Sequence, residues 1–417
     1  MRVYLLLMLV AAAVTFLTTP AARWVALRTS AISAVRARDV HSVPTPRAGG
    51  LAIMLGIVVA VLLASRMPFL EDVFSDRQVL GIVGGALIVC LLGWADDVWD
   101  LDWLTKLAGQ VLAAGFMALN EVQLVTIPTP GGLTIPSSRL SLIATVLIVV
   151  IAMNAVNFVD GLDGLAAGII AIGGAAFFLY TYRLTAEDTP DNYASLAAMM
   201  MAVLVGVCVG FLPHNFFPSR IFMGDSGSMV LGLVMAGAAI TVTGNVKPDV
   251  MTGVAAIPAL FPLLLPVGVL MLPLTDMAMA VVRRLAAGKS PMAPDRLHLH
   301  HRMLALGHSH RRAVLILYVW TAVFAFGAAA LVEWNWRIVM SCTAVAVLLA
   351  LVVTMGPLRH RGRFLDDDAA LQRASQDRAP EPGSGALRQV AAVAERPVVT
   401  TQAAATGRVA KNEESNV

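Results

Sequence analysis

Long apolar runs separated by short polar clusters organise this chain. Runs near the length that crosses a bilayer, about 20 mostly apolar residues, fall at 3–25, 49–66, 79–95, 104–120, 139–157, 161–182, 192–212, 226–243, 253–281, 313–333 and 336–356. They predict an all-α polytopic membrane protein of about eleven transmembrane helices, with residues 1–358 as the membrane domain. The first run has a signal-peptide alternative, because Arg2 precedes it and small residues follow. Arg23 and Arg28 close that run, which favours a retained span. Residues 122–136 read as two short strands around Pro130-Gly131-Gly132, a small hairpin on the outer face. Residues 359–417 form a tail, and from 364 onward it lacks apolar periodicity and reads as disordered.

Lys/Arg placement orients the array. One set of connections holds Arg28, Arg36, Arg38 and Arg47, then Arg220, then Arg283 through Arg312, and the cluster Arg359, Arg361 and Arg363 follows the last run. The opposite connections hold single charges such as Arg66, Arg77, Arg183 and Lys247. The N-terminus is therefore expected outside and the C-terminus in the cytoplasm. Composition agrees with a membrane protein: 58% of the 417 residues are hydrophobic and only 14% charged, with a mean hydropathy of +0.76. Soluble domains carry roughly 25% charged residues. A net charge of +3 is too small to argue for a nucleic-acid partner. Cys90, Cys208 and Cys342 each sit in an apolar run, with neither a disulfide framework nor metal-ligand spacing, and read as small core residues.

All four polar clusters fall on the expected cytoplasmic side. Asn154-Ala-Val-Asn157-Phe-Val-Asp160-Gly-Leu-Asp163-Gly puts amides and carboxylates at every third position, one drifting stripe if the segment is helical. Gly161 and Gly164 are places where that helix could break. Carboxylates at membrane depth cost about 2.5–3.5 kcal/mol each, so chains rarely carry them without a partner or a task. Asp96-Asp97-Val-Trp-Asp100-Leu-Asp102 closes the third run, and adjacent carboxylates call for a cation or a proton. Lys106, a compact point charge suited to phosphate, lies close by. Phe222-Met-Gly224-Asp225-Ser226-Gly227-Ser228 is a glycine-flanked helix start where N–H groups can meet an anion, or where Asp225 or Ser226 is simply an N-cap. Asp295-Arg296-Leu-His298-Leu-His300-His301-Arg302 lies in the longest cytoplasmic connection. It lacks a cysteine, so a phosphate-binding set of imidazoles and guanidiniums fits better than zinc. Together these groups suit a magnesium-dependent reaction on a diphosphate at the inner membrane face, with a lipid as one substrate. A transporter, the alternative from another class, would place its ionisable groups near mid-span.

Five segments in order resemble the motifs of the polyprenyl-phosphate N-acetylhexosamine-1-phosphate transferases. They are His41-Ser-Val-Pro-Thr-Pro-Arg47-Ala-Gly49-Gly50, Asp96-Asp97 with Asp100, Asn154 through Asp163-Gly, Phe222-Met-Gly-Asp225-Ser-Gly-Ser, and His298-Leu-His300-His301. The resemblance implies eleven spans with an outside N-terminus, in a bacterial inner membrane, with the active site on the cytoplasmic face. It implies transfer of a sugar 1-phosphate from a UDP-sugar to a polyprenyl phosphate of undecaprenyl or decaprenyl type, with release of UMP. Asp225 is then the ligand of Mg2+, or of Mn2+ in its place. Asp96 and Asp97 activate the lipid phosphate or help hold the metal, and Lys106 contacts a phosphate. Asn157, Asp160 and Asp163 are nucleotide-side contacts, and Asn215 and Phe222 form the uracil pocket. The His-x-His-His pattern resembles the branch that uses UDP-GlcNAc and starts lipopolysaccharide, teichoic-acid or arabinogalactan synthesis. The branch using UDP-MurNAc-pentapeptide carries three adjacent histidines instead. Other UDP-HexNAc donors remain alternatives, and a homodimer is left open.

Overall fold

The computed structural model describes residues 1–33, 44–125, 127–129, 132–134, 137–188, 194–243, 268, 271–286 and 308–355. Within them, eleven α-helices have described bounds: α1 Arg2–Arg28, α2 Gly49–Ala64, α3 Gln78–Trp99, α4 Trp103–Leu119, α5 Ser138–Val159, α6 Leu165–Asp188, α7 Leu196–Asn215, α8 Gly224–Thr243, α9 Met271–Ala286, α10 His310–Glu333 and α11 Trp336–Met355. Eight of these are long and apolar enough to cross a membrane, or nine spans if α2 and the turn after it count together.

Among the described residues, three of the eleven expected runs do not give a helix that passes this test alone. The run 49–66 stops as a helix at Ala64, and the chain bends by 111° into a 3-10 helix, Pro68–Phe74. Pro68 has no N–H to continue an α-helix. The run 104–120 gives a helix of 17 residues, bounded by a turn at Asp100–Asp102 and by Asn120. Of the run 253–281, only residue 268 and the part within α9 lie inside the described residues. The run 161–182 begins later than expected, at Leu165, because residues 160–164 form a turn in which Gly164 takes φ +78°. The expected tail, 359–417, lies outside the described residues.

Helix α8 is the centre of the bundle. Within its span 94% of the residues are buried, against 11% for α11, which lies at the periphery. Helices α2, α3, α5 and α7 pack on α8, α1 packs on α7 and α2, and α6 bridges α7 to α10. Small residues make this possible. A Cβ at Gly50 would lie 2.3 Å from the Gly227 nitrogen, and one at Gly93 would lie 2.4 Å from the Ser226 nitrogen. Helices α2 and α3 therefore approach the backbone of α8 itself, the mode by which membrane helices gain van der Waals contact. Apolar side chains cover the outside, Leu9, Leu17, Leu119, Leu348 and Val352 among them, each more than half exposed.

Strands β1 (Ile32–Ser33) and β2 (Thr45–Pro46) pair antiparallel, as do β3 (Ile127–Thr129) and β4 (Gly132–Thr134). The latter pair is shorter than the 122–136 expected. Residues 122–125 bind to α5 instead, where the Thr145 hydroxyl accepts the Leu124 N–H at 3.0 Å and the Ser141 hydroxyl donates to the Leu124 carbonyl. Cys90 and Cys208 are buried, but Cys342 is exposed on the outward face of α11, so the core reading of that residue is corrected.

Contact this close has a measurable consequence. Gly93→Ala should lower the melting temperature of the detergent-solubilised protein, because overpacking costs about 1–3 kcal/mol. Gly115→Ala, where nothing lies within 4 Å of the added carbon, should leave it unchanged or raise it. Equal melting temperatures for Gly93→Ala and wild type would show that α3 and α8 do not meet at this glycine.

Candidate active site

The acidic run at the end of α3 divides its carboxylates among four tasks. Asp96 accepts the Leu101 N–H at 3.0 Å and pairs with the Lys106 ammonium at 3.1 Å. Asp97 crosses to α8, where it accepts the Asp225 N–H and the Ser226 hydroxyl, each at 3.3 Å. Asp100 ends α3 in the left-handed region at φ 53°. Asp102 caps α4, accepting the N–H groups of Leu104 and Thr105 at 3.0 Å each, and the Thr105 hydroxyl holds its carboxyl below the usual carboxylate range. Asp225 and Ser226 are therefore not the N-cap of α8, since both lie within it. The first-turn donor is satisfied by a carboxylate from another helix, an interaction favoured at the positive end of the helix dipole. Gly224 makes the approach feasible. It sits at φ +73°, and any Cβ there would meet the Asp97 carboxylate at 2.4 Å.

On the other side of α8, Asp225 forms an ion pair with Lys106 and accepts the Asn157 amide at 2.9 Å. The same amide nitrogen donates to the Ser228 hydroxyl at 2.9 Å. One ammonium thus ties two carboxylates, Asp96 from α3 and Asp225 from α8, and all three side chains keep partial solvent access. Asn154, a turn earlier, donates to Gln110 at 2.7 Å and to the Val150 carbonyl, a partly buried link between α5 and α4.

Helix α5 ends at Val159, so the expected stripe is helical only through Asn157. Asp160 is its C-cap, and burial pushes the carboxyl up to about 7. Arg47 opposes that shift, while Asp97 and Asp163 add to it. Asp163 is buried, and its carboxylate accepts the Ser219 N–H at 3.0 Å. Asn215 is equally buried: its oxygen accepts the Gly164 N–H at 3.1 Å and its nitrogen donates to the Ile221 carbonyl at 3.0 Å. Both residues thus fasten the 160–164 turn to the 216–222 loop. Phe222 is half-buried, and its backbone joins the segment before α2, donating to the Pro46 carbonyl at 2.8 Å and accepting from Gly49 at 3.1 Å.

The structure therefore gathers Asp96, Asp97, Lys106, Asn157, Asp160 and Asp225 around one end of α8, with Asp163 and Phe222 in the adjoining loops and Asn215 at the end of α7. Arg296, His298, His300, His301 and Arg302 lie outside the described residues, as does His41. Sequence reasoning assigned no task to Ser228, Gln110 or Arg47, and gave Ser226 only an N-capping alternative. Ser226, Ser228 and Arg47 stood within quoted motifs, whereas Gln110 carried no signal.

Residues 79–243, which contain this cluster apart from the 45–50 segment, match the model of glycosyl transferase family 4. A decaprenyl-phosphate N-acetylglucosaminephosphotransferase from Mycolicibacterium smegmatis is 42% identical over 359 residues, covering 85% of this chain and 88% of the relative. The chain belongs to glycosyl transferase family 4. Within the family it is also similar to an undecaprenyl-phosphate alpha-N-acetylglucosaminyl 1-phosphate transferase from Haemophilus influenzae, 31% identical over 73% of this chain and 79% of the relative. A phospho-N-acetylmuramoyl-pentapeptide-transferase from Corynebacterium aurimucosum is 29% identical and covers only 47% of this chain and 63% of its own length. The family match spans the polar clusters of α3, α5 and α8 together.

Asp160 gives this family member a pH signature. Its carboxyl titrates at 3.8 in an unfolded chain and at about 7 in the folded one. Between those values the folded state holds a proton that the unfolded state has lost, so stability falls as pH rises toward 7. In the presence of a chelator, the melting temperature should fall between about pH 5 and 7.5, and Asp160→Asn should flatten that fall. An unchanged slope in the variant would contradict the placement of Asp160.

Proposed function

We propose that the chain transfers GlcNAc-1-phosphate from UDP-GlcNAc to a membrane polyprenyl phosphate and releases UMP, the first step in building a lipid-linked envelope glycopolymer. The observation that carries this reading is the Asp96–Lys106–Asp225 bridge at the amino end of α8. It brings one ammonium, two carboxylates and a helix N-terminus to a single point, a set suited to holding a diphosphate together with a divalent ion. The names of the relatives support the donor and acceptor.

An oxygen of the lipid phosphate attacks the sugar-linked phosphorus of the donor. The bond from that phosphorus to the bridging oxygen breaks, and UMP leaves with its electron pair. Lys106 is placed to meet the developing phosphate charge once the diphosphate competes for it. A lipid phosphate is already largely ionised near neutral pH, so Asp96 and Asp97 act by positioning: Asp96 aims Lys106, and Asp97 fixes the first turn of α8.

Among the described residues no cluster of three or more His, Cys, Asp or Glu is arranged to hold a metal. Magnesium rarely uses such a cage; one or two carboxylates plus substrate phosphates and water suffice. Asp225, oriented by Asn157, fits that role beside the diphosphate oxygens, with manganese as a substitute. Bound there, the ion would neutralise charge on the transferring phosphate. Asp160 and Phe222 line the nucleotide side, and the 296–302 segment takes the sugar and its phosphate. The positive residues between 28 and 47, at 220 and from 283 to 312 support a site at the cytoplasmic face of the inner membrane, with the N-terminus outside.

Purified protein given UDP-GlcNAc, a polyprenyl phosphate and magnesium should release UMP. EDTA should stop it, magnesium should restore it, and Asp225→Asn should lower turnover by about a hundredfold or more while the protein still inserts. UDP-MurNAc-pentapeptide should be a poor donor. Near-normal turnover by Asp225→Asn at saturating magnesium would overturn the metal assignment, and efficient use of the muramoyl donor would overturn the branch.

A further inference from the structure

The first turn of α10 reaches into the candidate site through contacts that the reaction described above does not use. The Ser309 hydroxyl caps this helix. His310 is 2% exposed, and its Nε2 accepts the Asp163 N–H at 3.2 Å. Accepting at Nε2 requires that nitrogen to be bare, which places the ring proton on Nδ1. The imidazole also stacks on Phe217, with ring centroids 4.4 Å apart and planes 22° from parallel. Arg311 donates from Nε at 3.3 Å and Nη2 at 3.1 Å to the Phe217 carbonyl. About two helical turns on, the Tyr318 hydroxyl donates to the Gly164 carbonyl.

These contacts end on two short loops, 160–164 and 216–222. The loops carry Asp160, Asp163 and Phe222, and they are joined to each other by Asp163 to Ser219 and by Asn215 to Gly164 and Ile221. An apolar seam beneath, formed by Val159, Leu162 and Leu165 against Ala313, Val314 and Leu317, fixes α10 against the turn. A helix that served only as packing would rest on that seam. Here its polar atoms instead close backbone groups of the two loops, a device for holding loop geometry.

We infer that His310 and Arg311 are positioning residues for the nucleotide end of the donor. They act through the backbone of the 160–164 turn and the 216–222 loop rather than by touching the substrate. This rests on the UDP-sugar reading given above and adds to it the residues that set donor affinity. Loss of the His310 acceptor leaves a buried N–H at Asp163 unpaired and frees the turn that presents Asp160.

The test uses the full-length protein in lipid-supplemented detergent. UDP binding is measured by calorimetry, and KM for UDP-GlcNAc and for polyprenyl phosphate is taken from UMP release. His310→Leu keeps bulk but cannot accept a hydrogen bond, whereas His310→Gln retains an acceptor and a flat amide to lie on Phe217. His310→Leu should weaken UDP binding and raise the donor KM about tenfold, with kcat and the acceptor KM within about twofold of wild type. His310→Gln should recover most of that loss. Arg311→Met should shift the same two quantities in the same direction, and it decides the matter if His310→Leu does not yield folded protein. Unchanged UDP affinity, an equal rise in both KM values, or a glutamine variant no better than leucine would overturn the inference. Wild type that binds UDP without releasing UMP would contradict the reaction alone, leaving the effect on UDP binding to decide this proposal.

Discussion

The amino end of α8 depends on one carboxylate that comes from elsewhere. Asp97, on α3, accepts the Asp225 N–H and the Ser226 hydroxyl. It reaches them because Gly93 and Gly224 leave no side chain between the two backbones. A buried helix start has N–H groups that must find partners, and here the partner also neutralises the dipole end that faces the acidic cluster. With that turn fixed, Asp225 projects toward Lys106 and Asn157, and Phe222 is held by the segment before α2. Removing Asp97 would free the first turn of α8 and with it Asp225. A large loss of turnover on its substitution is therefore expected without its acting as a base.

Two layers of support follow from this arrangement. The inner layer is ionic, with Lys106 between Asp96 and Asp225. An ammonium so placed holds the two carboxylates in register, and in the proposed reaction a diphosphate entering with a divalent ion would exchange one set of opposite charges for another. The outer layer is backbone geometry, built from Asp163, Asn215 and the first turn of α10, which fix the 160–164 turn and the 216–222 loop. Central glycine-lined helices make the inner layer rigid. Later helices in the chain, α7 and α10, shape the outer one.

Much of the site was legible because charge in an apolar run is costly, so Asp96, Asp97, Asp160, Asp163 and Asp225 stood out. The same reasoning cannot say which carboxylate meets which partner. Asp97 looked like one of a catalytic pair, yet its partners are an N–H and a hydroxyl 128 and 129 residues away. Asn215 and Asp163 read as ligand contacts, while the fold uses their polar atoms to join two loops. His310 gave no signal, because a single histidine opening an apolar helix is ordinary until a turn 147 residues earlier is brought to it. Helix count was read from apolar length, which does not register the bend before Pro68 or the short helix α4. Glycines that admit backbone contact at Gly50 and Gly93 are likewise visible only once their neighbours are known.

The central claim is that this site moves a phosphate together with the sugar. UDP-GlcNAc carrying a radioactive label in its sugar-linked phosphate separates that chemistry from transfer of the sugar alone. Incubated with the purified protein, magnesium and polyprenyl phosphate, the label should enter the lipid fraction in a one-to-one ratio with the UMP released. Label remaining in UDP while GlcNAc reaches the lipid would contradict the account.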